Sequence, residues 1–159
     1  TNGYSLARQI LFERQGLSPQ SVVPELGTSV ADALLAPHRS YLSVVAPLLD
    51  GSLVKGMAHI TGGGITENVP RVLPQGCAAA IDLASWETPA IFRLLQRLGE
   101  VPEADMRRSF NMGIGLAIVC AREVRDEVLR QLATAGEREA RVIGEIERGD
   151  QVVRYRGRA

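Results

Sequence analysis

Apolar positions along the chain follow two periods, and the switches between them mark the elements. From Tyr4 to Arg14, Leu6, Ile10 and either Ala7 or Leu11 recur at helical spacing, and Gly16 stops the run. Gly16, Ser18, Pro19, Pro24 and Gly27 then mark a loop. Thr28 is placed to cap a short helix through Leu35, with Val30, Leu34 and Leu35 on one face, and Ala36-Pro37 ends it. Tyr41 to Leu49 is apolar without a clear period; Pro47 argues against a central strand and favours a helix.

Val54 to Thr61 reads as a strand that feeds a run of three glycines. A short helix is expected from about Ile65, with Pro70 tolerated only in or near a first turn. Cys77 to Leu83 is small, apolar and strand-like. Thr88-Pro89 opens a helix that turns Ile91, Leu94, Leu95 and Leu98 inward, and Gly99 closes it. A short helix over Glu103–Arg108 gives way to a buried strand over Met112–Cys120, opened by Gly113 and Gly115. Arg122 to Ala135 is amphipathic with Val124, Val128, Leu129 and Leu132 inward, ending at Gly136. Val142, Gly144 and Ile146 alternate with Arg141, Glu145 and Glu147. Gly149-Asp150 then turns the chain into Gln151–Arg156, the predicted return strand of a hairpin. The sum is an α/β (α+β) domain, with a mixed sheet of about four to five strands packed against about five or six helices.

Composition narrows the partners. A chain of 159 residues with 45% hydrophobic and 23% charged residues is a globular protein, read here as a single domain over residues 1–159. Formal net charge is +0 and aromatic content 4%, so neither a basic field nor stacking platforms point to nucleic acid or an anionic membrane. Cys77 and Cys120 lack metal-ligand spacing and sit in apolar runs, as buried free thiols of a reducing compartment would. The longest apolar run, Ile114–Ala121, is too short to span a bilayer and no signal pattern is visible, so a cytoplasmic protein is expected. The chain starts on Thr1 rather than Met, which is consistent with a piece of a longer protein.

The densest chemistry lies in His59–Arg71, HITGGGITENVPR. Strand, glycine-rich turn and helix start together form a generic anion-binding device, in which backbone N–H groups converge on a phosphate. Thr61 and Thr66 supply hydroxyls, Arg71 a bidentate cation, and His59 a general acid or base. The string is neither the Walker pattern nor the dinucleotide fingerprint. A tight strand-to-helix turn without any ligand fits the pattern about equally well, and for His59 taken alone a satisfied semi-buried histidine is the favoured reading.

Residues 59–74, HITGGGITENVPRVLP, closely resemble the signature of the phosphoribosylformylglycinamidine cyclo-ligase (aminoimidazole ribonucleotide synthetase) family. The opening TNGYSLAR, Leu34–Pro37 with Arg39 and Tyr41, Ser85-Trp86, Phe110–Gly115 and Ile143-Gly144 fall in that family's order. The resemblance implies the C-terminal half of a two-domain enzyme that uses ATP to close the imidazole ring of formylglycinamidine ribonucleotide, releasing ADP and phosphate. It further implies that ATP and Mg2+ are bound mostly by an N-terminal half, that the full protein is a homodimer, and that this chain alone is inactive. On the same resemblance His59 is a catalytic candidate. Asn2, Thr61, Gly62, Gly63, Gly64, Asn68 and Arg71 are candidates for substrate or phosphate contact, and none is a metal ligand.

Each has a plainer reading: Asn68 bonding local backbone, Arg71 as a solvated or ion-paired cation, Asn2 as a turn residue, Trp86 as a packing anchor. The family usually has Thr where this chain has His38 and Lys where it has Ser43. A non-catalytic phosphate-binding or interaction module, and another ATP-using member of the superfamily, are the alternatives. Apolar surface that normally meets the other half would lead the isolated chain to self-associate.

Overall fold

The computed structural model describes residues 2–157. The first helix is α1 (Tyr4–Arg8), which widens into a π-helical stretch over Gln9–Arg14. Two-residue strands β1 (Val22–Val23) and β2 (Thr28–Ser29) pair across the first loop. Helix α2 (Val30–Leu34) follows, then α3 (Leu42–Leu49) and strand β3 (Val54–His59). Next come α4 (Gly64–Asn68), a 3-10 turn over Val69–Val72 and strand β4 (Cys77–Asp82). Helices α5 (Ala90–Gly99) and α6 (Glu103–Ser109) precede β5 (Leu116–Cys120). A 3-10 turn leads into α7 (Arg125–Thr134), and β6 (Gly144–Arg148) and β7 (Val153–Arg156) end the chain.

The fold is mixed α/β, but among the described residues no single sheet of four or five strands exists. There are sheets of two, two and three strands: β1-β2, β3-β5 and β6-β4-β7. The predicted terminal hairpin is absent, because β6 and β7 do not pair with each other. They lie on opposite edges of β4, β6 antiparallel and β7 parallel to it. The connection wraps the start of β4, where Gly149 N donates to Gly76 O and Gln151 N to Cys77 O. Local alternation is the same for either arrangement, and what decides is that β4, buried over Ala78–Ile81, has two rows of backbone groups to satisfy. Ile146, expected inward, is accordingly exposed on edge strand β6.

Three smaller differences have local causes. Ser29, not Thr28, caps α2 by accepting from Asp32 N, and Leu35 lies beyond the helix and is exposed. Residues 112–115 form a turn before β5, with Gly113 at φ +104°. Both cysteines are free but half-buried rather than buried.

Side-chain parity explains the packing. In β5, Leu116, Ile118 and Cys120 pack with Val54 and Met57 of β3 against α3 and α7, while Ala117 faces the opposite side with Ala58. Both faces are therefore covered, which is why β5 reads as an unbroken apolar run. A second cluster joins Ala58 and Ile60 to Ile65, Val69 and β4; a third packs Ile10 and Leu11 on Leu94, Leu95, Met106 and Phe110.

Candidate functional site

Strand parity separates His59 from the loop that follows it. His59 pairs with Leu116 and lies on the same face of β3 as Met57, toward α3, whereas Ala58 and Ile60 face the β4 side. The His59 ring is exposed and stands edge-on to His38, with centroids 5.4 Å apart, and to Tyr41 at 6.2 Å.

After Ile60, whose N–H donates to Gly115 O, the chain enters a closed knot. Gly63 and Gly64 have φ of +93° and +59°, conformations that side chains rarely adopt. A Cβ on Gly64 would overlap the carbonyl oxygen of Arg107, and one on Gly63 would sit 2.7 Å from the Cβ of Glu67. The glycines thus seat the loop against the end of α6 and under Glu67. Gly63 N donates to Arg108 O and Gly64 N to Thr61 O, each at 2.9 Å. Two of the three glycine N–H groups are therefore engaged within the protein, unlike the open cradle that the motif suggests. Gly62 differs: the space beside it is open except for the side chain of Asn2, 3.8 Å from where a Cβ would stand.

Asn68 holds the knot from within. It is the one buried polar side chain among the described residues, 5% exposed. Its Nδ2 donates to Gly64 O at 2.8 Å, Gly62 O at 3.1 Å and Thr61 O at 3.4 Å, while Oδ1 accepts from the Thr61 hydroxyl at 3.4 Å. This amide is fully occupied by the loop, the plainer of its two readings. Thr66 turns the other way, its hydroxyl 2.7 Å from that of Tyr155 on β7, and the Arg107 guanidinium lies 4.7 Å over the Tyr155 ring. Burial pushes the Tyr155 hydroxyl above its ordinary value of 10.0, against the hydrogen bond from Thr66 and the nearby Arg107 charge. Arg71 is exposed and has no ion pair among the described residues.

The structure therefore brings Asn2, Thr61, Gly62, Gly63, Gly64 and Asn68 together, and leaves His59 on the neighbouring face. Sequence reasoning overlooked His38, Tyr41, Arg107 and Tyr155. The one available signal was that His38 and Tyr41 frame Arg39 in a recognisable segment. Trp86 is a packing residue whose Nε1 donates to Met112 O at 2.9 Å, and it also faces a cavity of about 240 Å3 with Arg93, Arg107, Phe110 and Tyr155. Among the described residues no group of three or more His, Cys, Asp or Glu can hold a metal ion.

Comparison with known proteins places this geometry. Phosphoribosylformylglycinamidine cyclo-ligase of Caldanaerobacter subterraneus subsp. tengcongensis is 45% identical over 150 residues, covering 94% of this chain and 44% of that protein. The Desulfitobacterium hafniense protein of the same name is 46% identical over 159 residues, and that of Geobacter sulfurreducens 49% over 146. The chain spans less than half the length of these relatives. The crystal structure of Escherichia coli HypE shares the fold, with a TM-score of 0.61 over 99% of this chain at 22% identity. The family described as AIR synthase related protein, C-terminal domain, matches residues 1–156, and the chain belongs to it.

Proposed function

We propose that this chain is the C-terminal half of an ATP-dependent cyclo-ligase that closes the imidazole ring of formylglycinamidine ribonucleotide. ATP phosphorylates the formyl oxygen, releasing ADP. An amidine nitrogen then attacks the activated carbon, and the oxygen departs as phosphate. The reading is carried by the 45–49% identity to cyclo-ligases across nearly the whole chain, together with an exposed His59 beside a rigid glycine knot.

In this reading ATP and Mg2+ are held mostly by the N-terminal half that the relatives possess, and the full protein is a homodimer. Asn2 beside Gly62 is where the two halves would join, bringing the cleft against the loop. His59 acts at the reacting centre as a proton-transfer or hydrogen-bonding group. Gly62, with open space beside it apart from Asn2, and Thr61 form the wall that approaches substrate, and Arg71 is a further cation for substrate or phosphate contact. Gly63, Gly64 and Asn68 position that wall.

The test is steady-state kinetics of the full-length protein. His59→Ala and Gly62→Val are expected to lower kcat/KM by about 100-fold or more, within the range of general acid–base effects. The chain alone is expected to be inactive. Unchanged kinetics in both variants would remove the loop and His59 from the site, and turnover by the 159-residue chain would overturn the two-half reading.

A further inference from the structure

The chain has two histidines, and the fold sets them ring to ring. His38 comes from the segment 35–40 between α2 and α3, every residue of which is exposed. That segment is anchored at its neighbour: the Arg39 guanidinium pairs with Glu137 and lies 5.8 Å over the Tyr41 ring. Tyr41 is fixed in turn, since its hydroxyl occupies the space a Cβ on Gly115 would need. Together with Ser40, these residues rim a shallow hollow of about 410 Å3 whose floor is Val45, Met57 and Leu116.

The lining selects a class of ligand. Among the described residues no carboxylate lines the hollow, and Glu137 is engaged by Arg39. The rim instead offers two imidazoles and the hydroxyls of Ser40 and Tyr41 beside a guanidinium, all able to donate to an anion. The apolar floor suits the carbon skeleton of an ester. We propose that His38 and His59 together form a binding subsite for the phosphate of a phosphate monoester. The proposal rests on His59 belonging to the functional site, and it adds His38 as a positioning residue at a place where the resembling family usually has Thr.

The charged and titratable groups facing the pair are Arg39 and Tyr41 from the same segment and Glu137 after α7; β3 and β5 contribute only Met57 and Leu116 besides His59. Burial holds the Tyr41 hydroxyl above its ordinary value of 10.0, so it stays a neutral donor at neutral pH.

The experiment titrates the 159-residue chain at neutral pH with sodium sulfate and with ribose 5-phosphate, following the imidazole proton resonances by NMR. Both histidines are expected to shift together. His38→Thr and His38→Ala should each weaken binding about tenfold while the spectrum stays folded, the loss of one charge-assisted bond. Anions that move neither ring, or variants that bind like the parent chain, overturn the proposal. Because no turnover is read, anion binding beside a dispensable His59 would leave the subsite standing while the catalytic reading fell.

Discussion

Two neighbouring halves of the candidate site are built in opposite ways. From Thr61 to Asn68 the chain is closed on itself: the buried amide of Asn68 binds three carbonyls, and the glycines press on the backbone of α6. From His38 to Tyr41, and at His59, side chains stand in the open with few internal partners. The first half is where an alteration should cost much stability, and the second carries exposed side chains. The contrast teaches that the most recognisable motif in the sequence supplies rigidity, while the exposed imidazoles sit on the adjoining strand face.

The largest break is expected at Gly64. Gly64→Ala combines a left-handed backbone with overlap on a main-chain carbonyl and should cost about 4 kcal/mol or more in urea unfolding. Parent-like stability would mean the loop does not rest on α6. Asn68→Leu should come next, at about 2–3 kcal/mol, because it leaves buried carbonyls without their donor.

These two positions also show how far sequence reasoning reaches. The strand, turn and short helix around the glycines were legible because periodicity and glycine preference are local signals. That Gly64 meets Arg107 and Phe110, or that Asn68 is buried, depends on α6 arriving from distant sequence. The same limit misplaced β6 and β7, whose alternation fits a hairpin as well as two edges of β4. His38 and His59 meet only because strand parity turns His59 toward α3.

A smaller effect sharpens the closed half from outside, through Tyr155. Its hydroxyl is held above 10.0 in the folded chain, chiefly by burial, so the unfolded chain loses that proton first. The contribution is complete below pH 10 and is lost as pH rises through the folded value. Tyr155→Phe should lose about 1 kcal/mol at pH 7 with the Thr66 bond and show a shallower decline in melting temperature above pH 10. Identical alkaline profiles would detach Tyr155 from the knot. The smallest effect belongs to the open half: His59→Ala should leave the melting midpoint within about 0.5 kcal/mol of the parent. A large loss there would make His59 structural and erase the contrast.

The central place of β4 has a consequence in time. Its edges are filled by residues 144–156, so during synthesis the strand waits for more than sixty further residues, roughly 3–14 s at ribosomal rates. A strand rich in valine or isoleucine left open that long would invite pairing with other chains. Cys77–Asp82 is built instead around three successive alanines, which are weak strand formers and narrow enough to be covered late. The alanine run thus fits a strand that is made early and covered last.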